Sequence, residues 1–173
     1  RPERRPGGGA EPHGRANPKA LEAVKNADVI VVGPGDLFSS LIPNLLVKGL
    51  PEAIRKSKAK KVLICNLMSY VKHSKNFSVA NFTGTIEKYL GGEFDVIVYN
   101  SKAPSDKLVA RYAREGETLT RLELPENRTL VGADLVATAG LPKRMKHDKI
   151  VRSLIRHDPA KLAAVIAKIA KVK

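Results

Sequence analysis

Short continuous apolar runs alternate along this chain with longer amphipathic stretches, as strands alternate with helices in α/β proteins. Residues 28–32, 61–66 and 94–100 have the character of strands, the last of them buried on both faces. Parallel neighbouring strands need crossover connections, which the intervening helices can supply. The pattern therefore predicts a three-layer, Rossmann-like α/β fold with a mainly parallel sheet and flanking helices.

Capping residues place several helix boundaries. Asn17 followed by Pro18 is typical of a helix start, Ser78 is a second cap, and Gly91 ends the helix that Ser78 begins. Asp158 before Pro159 predicts a last helix to about residue 171. The remaining pattern predicts helices at about 36–47, 51–57, 104–115 and 148–155, and short strands at 118–124 and 133–137.

The chain divides into a short tail and one domain. Residues 1–16 are rich in Arg, Pro and Gly without apolar periodicity, which predicts a flexible basic tail before an α/β domain at 17–173. The Gly7-Gly8-Gly9 run lies between prolines with no strand before it. It therefore lacks the strand and helix that a phosphate-binding loop requires.

Charge is concentrated towards the C-terminal end. The net charge is +14, and residues 141–173 carry ten Lys or Arg against two Asp. A basic surface can attract nucleic acid, but no known nucleic-acid-binding motif is found. We therefore expect a solvated basic face and no nucleic-acid partner, with a basic nucleic-acid-binding module as the weaker alternative.

Other classes of function are disfavoured by composition. No stretch is long and apolar enough to span a bilayer and the start does not resemble a signal peptide, so we expect no membrane partner and a cytoplasmic location. The single cysteine, Cys65, lies in an apolar run and is predicted to be a core residue instead of a nucleophile. His13, His73 and His147 lack metal-ligand spacing, so no metal site is predicted.

A glycine corner follows the first predicted strand. There a strand, a tight turn and a helix start bring backbone N–H groups to one point, where phosphate or sugar can approach. The same polar residues are also ordinary helix caps and turn formers, and Asn66 at the end of the second strand has the same two interpretations. The candidates are Gly33, Pro34, Gly35, Asp36, Ser39, Ser40, Asn44 and Asn66.

Several segments, in the same order, resemble the CofD-like family and, within it, the YvcK branch of gluconeogenesis factors. The resemblance covers residues 17–173 and rests on the Gly-Pro-Gly segment at 33–46, the strand ending in Asn-Leu-Met at 61–68, the Arg-Tyr motif at 111–112 and the Arg-His-Asp motif at 156–158. Two departures are Asp36, where the family usually has Ser, and residues 70–75, which replace a Gly-Glu-Thr-like segment. The family's Gly-Gly-Gly-Thr-Gly loop is not found, so we expect the C-terminal portion of the family fold, without its N-terminal part. The chain is then either a fragment or a degenerate relative that has lost half of its site.

The resemblance implies a function and two further site residues. In the YvcK branch Tyr112 and Arg156 would help to bind a nucleotide sugar such as UDP-N-acetylglucosamine, although a half-buried tyrosine and a surface arginine are the plain alternatives. His157 and Asp158 are either a base with its orienting carboxylate or, as we favour, a helix start. The implied function is that of a regulatory protein, without catalytic residues or a certain cofactor, that links carbon metabolism to cell-wall synthesis and cell shape.

Two alternatives concern activity and assembly. The CofD branch implies a transferase of the 2-phospho-L-lactate type, which acts on a deazaflavin in the biosynthesis of coenzyme F420. If the N-terminal part of the fold is missing, the sheet should expose an unpaired strand edge, and such edges recruit other chains. We therefore expect self-association.

Overall fold

The computed structural model of the chain describes residues 14–70, 74–106, 109–110, 113, 117–137 and 155–171. The strands are β1 (Val29–Val32), β2 (Lys60–Ile64), β3 (Met68–Tyr70), β4 (Val96–Asn100), β5 (Glu117–Leu119) and β6 (Thr129–Ala133). The helices are α1 (Pro18–Asn26), α2 (Ile42–Leu45), α3 (Leu50–Lys56), α4 (Val79–Leu90) and α5 (Pro159–Lys171), and a π-helical turn, Leu37–Leu41, leads directly into α2.

Four strands form a parallel sheet in the order β1-β2-β4-β6. Its register aligns Val31 with Val62, Ile64 with Val98, and Val98 with Val131. The strands β3 and β5 form a separate antiparallel pair. The predicted α/β class with a mainly parallel sheet is confirmed.

Helices cover the two faces of the parallel sheet. On one face Leu63 and Ile97 pack with Ile54 of α3 and Phe82 of α4. On the other face α5 packs against β2, β4 and β6, with Ile169 as its buried residue. The central strands are therefore covered on both sides, which gives the expected three layers.

Local capping signals define the helices that the sequence predicted best. The Asn17 side chain accepts a hydrogen bond from the Lys19 amide at 2.9 Å, so α1 begins where expected. Ser78 and Asn81 form a reciprocal capping box at the start of α4, and Gly91 ends this helix with a left-handed φ of 67°. These boundaries follow from side chains within a few residues of each helix end.

The single helix predicted at 36–47 is wrong in its geometry. The segment forms the π-helical turn followed by the short α2. In the π-helical turn the Ile42 amide donates to the Leu37 carbonyl, five residues earlier. Pro43 explains the change, because it has no N–H to donate to the Ser39 carbonyl. Regular α-helical geometry therefore begins only after the π-helical turn, at Ile42.

The later strands also differ from the prediction. The strand β6 is Thr129–Ala133, not 133–137, because its register with β4 runs from Val96 to Asn100. The strand β5 is shorter than predicted, and its partner β3 was not predicted at all. Both are three-residue strands whose existence depends on pairing with each other.

Some predicted elements lie wholly or largely outside the described residues. These are the helices at 104–115 and 148–155 and residues 1–13 of the tail. Gly14 and Ala16, at the end of the predicted tail, already exchange backbone hydrogen bonds with Lys48 at 3.1 and 3.0 Å.

Candidate functional site

The carboxyl ends of β1, β2 and β4 form one edge of the parallel sheet, where open α/β sheets bind their ligands. Gly33 follows β1, Cys65 and Asn66 follow β2, and Asn100 ends β4. The predicted ligand-binding residues that the structure describes lie on this edge or on the segments attached to it.

Asn66 holds the glycine corner in place. Its amide group donates from Nδ2 to the Gly35 carbonyl at 2.8 Å and accepts at Oδ1 from the Gly35 amide at 3.3 Å. The Asn66 carbonyl in turn accepts a hydrogen bond from the Thr120 hydroxyl at 2.7 Å. The Asn66 side chain therefore joins the segment after β1 to the segment after β2, although Gly35 and Asn66 are 31 residues apart in sequence.

The polar residues after the corner largely bond to one another. Asp36 Oδ1 accepts from the Ser39 amide at 2.8 Å and from the Ser39 hydroxyl at 2.7 Å. Asn44 donates from Nδ2 to the Ser40 carbonyl at 2.5 Å. All four side chains are exposed, and the Ser40 hydroxyl forms no hydrogen bond within the described residues. Asp36 and Ser39 thus cap the helical turn that follows, and the Ser40 hydroxyl is available to a ligand within the part of the chain that the structure describes.

Gly35 is the glycine that the corner requires for space. A Cβ atom at this position would lie 3.2 Å from Leu41 Cδ2 and 3.4 Å from Ser40 Cβ. A Cβ atom at Gly33 would meet no atom within 4 Å. Neither glycine has a left-handed φ, so close packing is the constraint, not backbone conformation.

The Arg156 segment reaches the same edge from the C-terminal part of the chain. The Arg156 carbonyl accepts from the Ala137 amide at 2.9 Å, and the Asp158 amide donates to the Leu135 carbonyl at 2.7 Å. His157 forms a hydrogen bond with the backbone of Cys65, next to Asn66. Arg156 is half-buried, and within the described part of the chain its guanidinium has no hydrogen-bond or ion-pair partner.

Burial changes the titration of two groups beside the corner. It raises the pKa of the Cys65 thiol to about 12, so Cys65 is a neutral core residue as predicted. Burial also lowers the pKa of His157, and the hydrogen bond with the Cys65 backbone opposes this shift only in part. The His157 Nε2 atom is buried without a hydrogen-bond partner among the described residues, so its surroundings favour the neutral imidazole.

Asp158 is a helix cap. Its Oδ1 atom accepts from the amides of Ala160 and Lys161 at 2.9 and 3.0 Å, at the start of α5. The interpretation of Asp158 as a helix start is therefore confirmed. The carboxylate stabilises the N-terminal turn of α5 and is not hydrogen-bonded to His157 in the structure.

A small pocket opens beside Asn66, at the carboxyl ends of β2 and β4. Its volume is ≈ 80 Å³, below the roughly 300 to 1,000 Å³ of sites that enclose a small-molecule ligand. Its polar lining consists of Asn66, Asn100 and Thr120, and its apolar lining of Leu67, Val79, Tyr99, Ala103, Pro104, Leu119 and Leu122. This pocket can hold a fragment of a ligand but not a nucleotide sugar.

The structure thus joins the glycine corner to Asn66 by direct hydrogen bonds, and it brings the Arg156 segment beside them through the contact of His157 with the backbone of Cys65. Tyr112 lies outside the described residues. Sequence reasoning missed Thr120 and the contact between His157 and Cys65. Both depend on pairing across more than 50 residues, and the only sequence signal was the predicted strand at 118–124.

Comparison with protein families identifies the relationship. Residues 7–139 match the family described as 2-phospho-L-lactate transferase CofD. The chain belongs to this family. The CofD family match includes the glycine corner and all six strands that the structure describes, and it ends just after β6.

Curated relatives place the chain within the CofD family more closely. A Thermotoga maritima protein is 35% identical over 156 residues, which are 90% of this chain and 48% of that protein. The protein named gluconeogenesis factor in Bacillus subtilis is 29% identical over 158 residues, 89% of this chain and 46% of the relative. The chain therefore spans about half the length of these relatives, and the matched part is a C-terminal portion of them.

A solved structure supports the same fold. Protein BH3568 from Bacillus halodurans superposes with a TM-score of 0.74 at 30% identity, over 88% of this chain and 47% of that one. Among the residues of our structure no helix is long and apolar enough to cross a membrane. The same residues contain no group of three or more His, Cys, Asp or Glu arranged to hold a metal ion.

Proposed function

We propose that this chain is part of a nucleotide-sugar-binding regulatory protein of the gluconeogenesis-factor type. In this role it would act in the cytoplasm and link carbon metabolism to cell-wall synthesis and cell shape. The names of the curated relatives support the gluconeogenesis-factor assignment. The ligand class is what the resemblance to the YvcK branch implies, and the residues at the sheet edge support it.

One observation carries the proposal. The hydrogen bonds between Asn66 and Gly35 and between His157 and Cys65 bring the glycine corner and Arg156 to one edge of the sheet. A guanidinium group offers a planar set of donors that matches a diphosphate. The Arg156 side chain, which has no partner among the described residues, would therefore supply the phosphate-binding group that the corner alone does not.

The residues of the corner suit the sugar part of the ligand better than its phosphates. The Asp36 carboxylate would repel a phosphate, but it can accept a hydrogen bond from a sugar hydroxyl. The Ser40 hydroxyl, which forms no hydrogen bond within the described part of the chain, can donate to or accept from the same sugar. We therefore place the diphosphate towards Arg156 and the sugar towards Asp36 and Ser40.

The size of the pocket beside Asn66 limits how much of a ligand this pocket can hold. With ≈ 80 Å³ beside Asn66, a nucleotide sugar would extend along the open edge of the sheet. This portion of the fold would then form one wall of the binding site, and we expect weak binding by this portion alone.

The proposal can be tested by NMR with UDP-N-acetylglucosamine as the probe. We expect the amide shifts of residues 33–40, Asn66 and Arg156 to change together and with the same concentration dependence. Inorganic diphosphate is the control for general anion binding and should affect Arg156 without the corner. Shift changes confined to the basic helix α5, or none at millimolar ligand, would contradict the proposed site.

A second candidate function comes from the family description, 2-phospho-L-lactate transferase. The chain would then transfer the phospholactyl group of a nucleoside diphosphate that carries lactate on its terminal phosphate to a hydroxyl of a deazaflavin. The bond between the two phosphates would break, and nucleoside monophosphate would leave. Incubating both substrates with the protein and measuring the phosphorylated deazaflavin separates the candidates. We expect no transfer, and formation of this product would favour the enzyme over the regulator.

A further inference from the structure

His157 lies between the Arg156 segment, residues 155–158, and the end of the strand β2. Its side chain is half-buried and forms a hydrogen bond with the backbone of Cys65, the residue after β2. The Cys65 amide already donates to the Val98 carbonyl at 2.8 Å. The group left for His157 is therefore the Cys65 carbonyl, and the imidazole ring is the donor.

The surroundings of the two ring nitrogens fix the tautomer of His157. The Nε2 atom is buried without a hydrogen-bond partner among the described residues, so the atom that donates to Cys65 is Nδ1. A neutral imidazole can donate from Nδ1 and leave Nε2 without a proton, whereas an imidazolium carries an N–H at both atoms. Protonation would therefore bury an N–H donor and a positive charge at a point where no described acceptor lies.

The charged and titratable groups on the neighbouring elements do not offset such a charge. They are Cys65 after β2, Asp134 after β6, Lys161 on α5, and Arg156 and Asp158 beside the ring in sequence. The Asp158 carboxylate accepts from two amides of α5, and Asp134 is paired with Lys161 at 3.2 Å. Neither carboxylate is hydrogen-bonded to the ring within the described part of the chain, and burial raises the pKa of the Cys65 thiol to about 12. Burial consequently lowers the pKa of His157.

The other described contacts of the Arg156 segment do not respond to pH between 5 and 8. Two backbone hydrogen bonds join the segment to residues 135–137. Ile155 packs with Leu67 and Val136 in a small apolar cluster. Histidine is the side chain whose ordinary pKa lies in this pH range. Among these described contacts, the hydrogen bond of His157 is therefore the one that acid can break.

We propose that neutral His157 is a positioning residue that holds the Arg156 segment on the end of β2, and that acid releases the segment and withdraws Arg156 from the sheet edge. The part of this inference that concerns the ligand rests on the proposed function, whereas the docking of the segment is a property of the protein alone. Because the pKa of His157 is lower in the docked state, docking is favoured above about pH 6.5. This advantage is lost as the pH falls through the lower pKa of the docked state.

Hydrogen exchange tests the docking without any ligand. The Ala137 amide donates to the Arg156 carbonyl and therefore reports on the segment, and the Phe82 amide, which donates to the Ser78 carbonyl in α4, reports on the core. We expect Ala137 to be less protected than Phe82 at every pH, because the segment opens without unfolding of the domain. After correction for intrinsic exchange, the protection of Ala137 should fall from pH 7.5 to pH 5 by up to about tenfold per pH unit, as one proton requires.

Two substitutions of His157 separate the roles of its two nitrogens. An Asn side chain places its N–H donors near the position of Nδ1, and a Gln side chain places them near Nε2. His157→Asn should keep the protection of Ala137 within about threefold of the parent at pH 7.5 and remove its pH dependence. His157→Gln should lower the protection of Ala137 about tenfold at pH 7.5, because the Cys65 carbonyl loses its donor.

Titrations of UDP-N-acetylglucosamine at pH 7.5 and pH 5 give the functional readout. Each phosphate of a nucleotide sugar is linked on two sides and lacks the second ionisation, at about pH 6, of a phosphate monoester. The charge of the ligand therefore stays constant, and a change of affinity reports on the protein. We expect the parent to bind about tenfold more weakly at pH 5 and His157→Asn to bind almost equally at both values.

The two readouts keep this inference separate from the proposed function. If the parent does not bind the nucleotide sugar at pH 7.5, the proposed function fails, and the exchange of Ala137 still decides whether His157 positions the segment. Four results would overturn the inference: protection of Ala137 that does not change with pH, parallel pH curves of the parent and His157→Asn, equal protection of Ala137 and Phe82, or binding by the parent that is equally tight at both pH values.

Discussion

The two regions that meet at the carboxyl edge of the sheet differ in what their side chains do. At the glycine corner Asn66, Asp36 and Ser39 form hydrogen bonds with groups of the protein itself. In the C-terminal segment the backbone of Arg156 is anchored, but its guanidinium has no partner among the described residues. The side chains of the glycine corner therefore stabilise the fold, whereas the Arg156 side chain offers a positive charge to a ligand.

This difference shows that polar residues at a sheet edge are not equivalent candidates for ligand binding. A side chain that satisfies buried backbone groups contributes to stability, so its replacement changes the fold before it changes affinity. A side chain without a partner contributes little to stability and can be replaced without unfolding. The predictions below test this division, from the largest expected change in stability to the smallest.

Replacing Asn66 with Ala should have the largest effect. The substitution leaves the amide and the carbonyl of Gly35 without their partner, which should lower the free energy of unfolding by about 2–4 kcal/mol. Urea denaturation measures the change. The control is Asn44→Ala, which removes one exposed hydrogen bond and should cost less than about 0.5 kcal/mol. Equal effects of the two substitutions would show that the Asn66 side chain does not hold the corner.

Replacing Gly35 with Ala should have an intermediate effect. The new Cβ atom would lie 3.2 Å from Leu41 Cδ2, so the corner must shift, at a cost of about 1–3 kcal/mol. Gly33→Ala is the matched control, since it meets no atom within 4 Å and should change stability by less than about 0.5 kcal/mol. Thermal denaturation of the pair tests the assignment. If Gly33→Ala destabilises as much, close packing is not the reason for glycine at position 35.

The success of sequence prediction in this protein depended on how local the cause was. The starts of α1 and α4 were predictable because Asn17 and Ser78 cap them with their own side chains. The strands β3 and β5 exist because they pair with each other across 49 residues, and the first was not predicted. The π-helical turn follows from Pro43, but the sequence pattern alone indicated an ordinary helix.

The same limit applies to the site. The pattern placed Asn66 at the end of a strand, and its position beside Gly35 comes from the parallel pairing of β1 with β2. The resemblance suggested Arg156 as a site residue. Its position near Cys65 depends on the contact between the adjacent His157 and the Cys65 backbone, which no sequence pattern indicated. The contacts of Asp36 with Ser39 also depend on atomic positions that no spacing can supply.

His157 predicts a pH dependence of stability. Its pKa is lowered below 6.5 in the folded protein, so the unfolded chain binds the proton more readily. The stability that neutral His157 provides is present above about pH 6.5 and is lost as the pH falls through the lower folded pKa. His157→Asn keeps a donor for the Cys65 backbone but does not titrate. Urea midpoints between pH 7.5 and pH 5 should therefore fall less in the variant, and parallel curves would contradict this role.

Replacing Arg156 with Ala should have the smallest effect on stability. Without a partner among the described residues, the guanidinium can be removed at a cost of less than about 0.5 kcal/mol, measured by urea denaturation. A larger loss would mean that Arg156 belongs to the scaffold. Lys168→Ala, on the exposed side of α5, is the control for loss of one positive charge.

The most direct measurement of the proposed function is a calorimetric titration of UDP-N-acetylglucosamine into the parent protein and these two variants. The proposal predicts that Arg156→Ala weakens binding about 10- to 100-fold, the equivalent of roughly 1.5–3 kcal/mol for a charge-assisted contact, while Lys168→Ala binds almost like the parent. If Arg156→Ala binds as tightly as the parent, or if both variants weaken binding equally, Arg156 is not the phosphate-binding residue of this site.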